Sequence, residues 1–240
     1  MHETRELLVD RPTEGVLRLR MNRPDRLNAV NAALVDALMA AFDDTGARAV
    51  ILGSSSPKAF CSGVDLEIRD EERARVSDTL YELYEKMIRL PVPIVVVVDG
   101  HAVGAGAQMA IAGDLRVLGP GTKMRVAGPR HGLAVAAWGL PGLVGRGRAL
   151  DLCLTMRSVD AHEAKAIGLA ERVEAEPDST AVELASALTK LDEAAVSRVK
   201  RLVQEGPGLL DVLRHERAGN RETWTGSVAA LLAQGRKERG

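Results

Sequence analysis

Residues 91–117, PVPIVVVVDGHAVGAGAQMAIAGDLRV, decide the fold. The run Ile94–Val98 is far too short to span a bilayer and reads as a strand buried on both faces. A glycine-rich turn follows over His101–Gln108, running into a small-residue helix that ends near Asp114, and Leu115–Leu118 reads as the next strand. Strand, helix and strand in that order point to an α/β chain with mainly parallel pairing.

In an open α/β sheet, ligands gather at the carboxyl ends of the strands, which places the turn after Val98 in the candidate site. A second glycine-bearing loop lies upstream. ARAVILGSS (47–55) is another continuous apolar strand, and AFCSGVDL (59–66) follows it. A glycine turn entering a helix leaves the first N–H groups unpaired, which suits a phosphate or a developing oxyanion. Spacing alone does not choose between those ligands. GAG at 104–106 is not GxGxxG, and GxxxxGK[ST] does not occur, so a nucleotide reading is weak. Close packing of a helix on a strand accounts for the glycines equally well.

Further out, residues 5–21 read as two short strands around a Pro-Thr-Glu-Gly turn. Asn31–Phe42 has helical spacing through Leu34, Leu38 and Phe42. Asp70–Arg89 is charged and loosely helical. From about Ala149 the pattern is helical throughout: ALDLCLTM, DAHEAKAIG, then 179–204 and a last helix to Arg236. The expected organisation is an α/β body over residues 1–175 and a helical C-terminal region over 176–240.

Composition narrows the function. Aromatic residues make up 2% of the 240, which argues against recognition of nucleic acid by base stacking. A net charge of −1 supports neither phosphate steering nor a polybasic membrane anchor. Cys61 and Cys153 form no CxxC or Cys/His cluster, so neither a disulfide framework nor a metal site is expected. MHETRELLVDRP has no apolar core of signal-peptide type, and cytoplasm is the plain expectation.

Four segments in order, MNRPDRLNAVN (21–31), KAFCSGVDL (58–66), residues 91–117, and LVGRGRALDLCLT with DAHEAKAIGLAERV (143–173), resemble the crotonase family, the enoyl-CoA hydratase/isomerase superfamily. The resemblance implies a ClpP/crotonase-like spiral of ββα units with a helical C-terminal trimerisation region. It implies that the Val64 and Ala105 backbone N–H groups bind an acyl thioester oxygen. In that reading Ala59, Phe60, Gly63, Asp65 and Leu66 of the first segment and Gly104 and Gly106 of the second are substrate-binding residues. Asp65 would brace its loop by accepting backbone N–H groups. Arg23, Arg26 and Lys58 fall where family members contact coenzyme A, though each could equally be a solvated loop charge. The family assembles as trimers, often paired into hexamers. A coenzyme A thioester is then the ligand, with no other cofactor required, and Trp224, Leu231 and Leu232 could bury an apolar face against a neighbour.

The chain departs from the hydratase pattern where the chemistry sits. Hydration needs two carboxylates to place and activate a water. The first family glutamate position holds Gln108, and counting onward without a gap puts the second at Gly128. Neither exchanges a proton near neutral pH. HGLAVAAWGLPGLVG (131–145) also replaces the family's glycine-rich segment and is shorter. Trp138 within it could wall the acyl pocket or serve as a core or trimer-contact residue. His131 could approach the pocket or be an ordinary loop histidine. This pattern is similar to actinobacterial crotonase-like proteins that lack both glutamates and bind long acyl-CoA without hydrating it.

Three functions stay open: an acyl-CoA-binding protein with little or no hydratase activity, an active enoyl-CoA hydratase/isomerase of fatty-acid metabolism with a non-standard acid/base, and a non-catalytic oligomeric scaffold.

Overall fold

The computed structural model describes residues 4–43, 45–205 and 208–223. Its main sheet has six strands: β1 (Leu7–Asp10), β2 (Val16–Met21), β3 (Ala49–Ser54), β5 (Ile94–Val98), β7 (Leu115–Leu118) and β10 (Arg172–Val173). They lie side by side in that order, and only the β1–β2 pair is antiparallel. Between them fall β4 (Ala59–Cys61), β6 (His101–Val103), β8 (Lys123–Arg125) and β9 (Val159–Asp160), which form a second sheet of four strands. From β3 to β8 the chain thus alternates between the two sheets, the spiral that the crotonase resemblance implied.

The β5 reading holds residue by residue. Ile94, Val96 and Val98 join the larger apolar core, whereas Val95 and Val97 face the other way into a smaller one. Strand β3 divides likewise, with Val50 and Leu52 on one side and Ala49 and Ile51 on the other. Alternate side chains of a strand point to opposite faces, so both faces need cover. The larger core is closed by α1 (Ala32–Asp43), α2 (Asp70–Arg89) and α3 (Ala105–Ala112). Two short helices, α4 (Leu140–Val144) and α5 (Arg146–Thr155), add Leu140, Val144, Ala149 and Leu152 to it. The smaller core is closed by α7 (Pro177–Leu188), whose Ala181 and Ala185 let the helix approach the sheet closely.

Helix starts follow local chemistry. Asn31 Oδ1 accepts from Leu34 N at 3.0 Å at the head of α1, and Asp160 does the same for Glu163 N at 2.9 Å at the head of α6 (Ala161–Ala166). The stretch expected as one helix over 179–204 is two. Asp192 accepts from Ala195 N at 2.8 Å and so caps a new helix, α8 (Glu193–Glu205), after the chain has turned at 189–192. The C-terminal half is also not helical throughout, since β9 and β10 each contribute a two-residue strand. Buried Lys200 fastens α8 to the body through Asp114 at 2.8 Å and the Met87 and Val92 carbonyls. The last described helix, α9 (Leu209–Thr223), lies on α2, and Trp224, Leu231 and Leu232 fall outside the described residues. Among the described residues, no helix is long and apolar enough to cross a membrane.

Candidate active site

A cavity of about 180 Å³ opens where the two glycine loops meet, and Gly63, Val64, Gly104 and Ala105 form one wall. The loop after β4 is set by the segment before α1. Buried Asn28, in the left-handed region at φ 53°, donates to Ser54 Oγ at 2.6 Å and to the Ala59 and Phe60 carbonyls at 3.2 and 3.1 Å. Asparagine tolerates that backbone conformation better than most side chains. Val30 then pins the loop, donating to Gly63 O at 2.8 Å and accepting from Asp65 N at 2.9 Å. Those two bonds straddle Val64. Its N–H has no acceptor among the described loop and turn hydrogen bonds.

The second turn is forced by glycine. Gly104 sits at φ 54°, ψ −109°, and a Cβ on Gly106 would lie 2.3 Å from the Cys61 carbonyl oxygen. Helix α3 can therefore start hard against the end of β4. Ala105 is its first residue, so its N–H has no partner inside the helix. Its carbonyl accepts from the Tyr84 hydroxyl at 3.4 Å.

The rest of the first segment braces rather than lines. Asp65 accepts from Glu67 N at 3.0 Å and pairs with Arg23 at 3.0 Å, and Arg23 also donates to the Ala29 carbonyl. Arg26 pairs with Glu67 at 2.5 Å, and Lys58 is exposed. Ala59 and Phe60 are core residues, whereas Leu66 does reach the cavity. Burial pushes the Cys61 thiol up to about 12, which leaves no thiolate for covalent chemistry near neutral pH.

Gln108 borders the cavity, but its side-chain oxygen is committed. It accepts from Trp138 Nε1 at 2.9 Å and from Ala136 N at 3.0 Å. Trp138 is buried and stacked on Tyr84, with ring centroids 6.1 Å apart, and it does not line the cavity. Its place is in the core behind Tyr84, so the pocket-wall reading of Trp138 gives way to the core one. Gly128 does not line the cavity either. A Cβ there would lie 2.5 Å from Leu133 O and 2.7 Å from Val135 Cγ2, so the backbone itself closes that position to a side chain. His131 does reach the cavity; burial first, and then the charges of Arg130, Arg73 and Arg125, hold its pKa below the usual histidine value.

Several cavity residues were not legible as such in the sequence. Arg73, Ser77, Leu80, Tyr81 and Tyr84 come from one face of α2, and Asn220 comes from α9. Behind them lies Glu216, buried and remote in sequence. It accepts from the Tyr81 hydroxyl at 2.8 Å, from Trp138 N at 3.1 Å and from Ala136 N at 3.2 Å. Desolvation raises its pKa despite those donors. The spacing of 73, 77, 80–81 and 84 is helical, and it was the available signal for the α2 face. Nothing in the sequence tied position 216 to position 136. A larger hollow of about 450 Å³ between Ile88–Pro91 and Ser197–Arg214 is not lined by the glycine turns.

Known proteins resemble the chain in sequence and in fold. The profile of the family described as "Enoyl-CoA hydratase/isomerase" matches residues 11–223. The chain is 35% identical over 198 residues to "Probable enoyl-CoA hydratase echA6" of Mycobacterium tuberculosis, with 80% of each chain covered. Among solved structures, an enoyl-CoA hydratase from Bacillus anthracis superposes with a TM-score of 0.81 at 25% identity, covering 92% of this chain and 90% of that one. A monofunctional enoyl CoA isomerase from M. smegmatis gives 0.72 at 30% identity, covering 87% and 95%. Fold, ordered motifs and paired glycine turns agree with these matches: the chain belongs to the enoyl-CoA hydratase/isomerase family.

Proposed function

We propose that this protein binds a fatty acyl-CoA thioester with its carbonyl oxygen between the Val64 and Ala105 N–H groups, and that it has little or no hydratase activity. The observation that carries the reading is the state of the two glutamate positions. At Gln108 an amide oxygen is already engaged by Trp138 and Ala136, and at Gly128 a carbonyl oxygen and a valine occupy the space a side chain would need. Polarising a thioester needs only donors aimed at its oxygen. Adding water across a double bond needs groups that exchange protons, and neither position supplies one.

Isothermal titration with octanoyl-CoA tests the binding half. Saturable heat is expected, and no heat at any accessible concentration would leave only the scaffold reading. An active hydratase or isomerase with a non-standard acid/base is the second reading, favoured by the Tyr81 hydroxyl at the cavity wall and buried Glu216 behind it. A Glu216→Gln variant that abolished a measurable turnover would support it.

The remaining expectations are proposals on the same footing. Cytoplasmic location fits the family's use of coenzyme A thioesters. A core ending near residue 175, followed by helices that pack on it or on a neighbour, fits the way α7 and α9 lie on the body. A trimer or hexamer fits the exposed apolar stripe of Val199, Leu202 and Val203 on α8. Light scattering that returned a monomer would remove that assembly.

A further inference from the structure

We propose that the cavity selects an acyl group whose far end carries a carboxylate, received by Arg73 and Ser77; this rests on the acyl-CoA reading above. Helix α2 runs the length of the cavity. Tyr84, at the thioester end, bonds the Ala105 carbonyl, and Tyr81, Ser77 and Arg73 follow along the same face toward the helix N-terminus. With a rise of about 1.5 Å per residue, Arg73 lies roughly 16 Å along the helix axis from Tyr84. An acyl chain held at Ala105 and laid against α2 therefore approaches Ser77 and then Arg73.

Both residues suit an anion and disfavour a plain hydrocarbon end. The Arg73 side chain is 3% exposed, and its Nη2 pairs with Asp70 at 3.2 Å across one helical turn. The Ser77 hydroxyl is buried at the cavity and has no hydrogen-bond partner among the described residues. Desolvating a polar group without giving it a partner is unfavourable. A methyl terminus would leave that hydroxyl unsatisfied, whereas a carboxylate accepts from it and from a guanidinium together.

The surroundings reinforce the sign. His131 lines the same cavity, and the guanidinium groups of Arg130, Arg73 and Arg125 all act on it. Of these, Arg73 lines the cavity, and Arg130 and Arg125 stand behind His131. The phosphates of coenzyme A are a second source of anion. They are bulky and need an open rim, whereas Arg73 and Ser77 are buried inside, so the acyl terminus is the source assigned here.

Calorimetry on the full chain tests the proposal with four thioesters and one control. Suberyl-CoA and dodecanedioyl-CoA are compared with octanoyl-CoA and dodecanoyl-CoA of equal carbon number, and coenzyme A alone is the control. The carboxylated thioesters are expected to bind about tenfold tighter or more, since one charge-assisted hydrogen bond is worth about 1.5–3 kcal/mol. Arg73→Met is expected to collapse that ratio to near one, and Ser77→Ala to reduce it.

Equal affinity within each pair would overturn the proposal and leave the acyl-CoA reading intact. Heat from none of the thioesters would overturn that reading, and the proposal with it. An Arg73→Met loss that is the same for coenzyme A alone would assign Arg73 to the phosphates and overturn the proposal. Should Arg73→Met fail to fold, the wild-type ratio and Ser77→Ala decide the question.

Discussion

The two glycine turns and the 134–138 loop border the same cavity, yet they are held in place by different means. The turns are fixed by backbone. Val30 straddles Val64 with two main-chain bonds, and Gly106 lets α3 touch the Cys61 carbonyl. The loop is fixed by side chains from elsewhere: Gln108 from α3, and Glu216 and Asn220 from α9, all hold its N–H groups. A backbone site survives changes of side chain, so Val64 and Ala105 keep a donor pair whatever residues stand there. Proton transfer depends on side chains, and at this cavity those side chains serve the structure. On the function proposed above, the turns would hold a carbonyl, whereas Gln108 and Glu216 beside them are engaged in packing the loop.

Breaking the loop should have the largest effect. Glu216→Ala strands the buried Trp138 N–H, leaves the Ala136 N–H to Gln108 Oε1 and the Tyr81 hydroxyl to the Ala134 carbonyl alone, and empties the space of a buried side chain. We expect a drop of about 3 kcal/mol or more in urea unfolding. A loss below about 1 kcal/mol would mean that the loop stands without α9.

Breaking the turns should cost less stability and more binding. Gly106→Ala forces a Cβ to 2.3 Å from Cys61 O and must displace the start of α3. Overpacking of this kind costs about 1–3 kcal/mol. The octanoyl-CoA dissociation constant is expected to rise about tenfold or more, as one of two donors leaves its place. Unchanged affinity in a destabilised variant would show that Ala105 is not a donor to the thioester.

The smallest effect concerns how α9 is attached. Asp78 receives Arg217 at 2.7 Å and Arg221 at 2.5 Å, and hydrogen bonding from Arg217 foremost holds its carboxyl well below the usual range. A depressed carboxylate contributes stability above its unfolded pKa of about 4, lost as the pH falls toward the folded value. The melting temperature should therefore fall below about pH 4, and Asp78→Asn should flatten that dependence. A variant with the same acid slope as wild type would place the acid sensitivity elsewhere.

How much the sequence disclosed follows the same division. Strand β5 was legible because an unbroken apolar run needs cover on both faces, and the glycine turns because their spacing matched a known pattern. The second sheet was not: β4, β6 and β8 have three residues each, too few to show an alternation. The sequence resemblance aligns Gln108 with a family glutamate position, but its bond to Trp138 spans thirty residues and leaves no mark in the sequence. That bond and the stacking on Tyr84 hold the Trp138 ring in the core. Gly128 was read as a missing side chain, whereas the structure adds that no side chain fits there. Arg73 and Ser77 lay in a segment that read only as charged and helical, because charge hides the periodicity of a face that is partly polar.

Binding without hydration can be measured on one sample. Hydration is followed by the loss of enoyl-thioester absorbance, using crotonyl-CoA and a 2-enoyl thioester with a terminal carboxylate, each at a concentration shown by calorimetry to fill the site. Saturated binding with turnover far below the range of about 1–10³ s⁻¹ typical of enzymes is the expected result. Turnover within that range on either thioester would contradict the account, and would direct attention to Tyr81 and Glu216 as the proton-transferring pair.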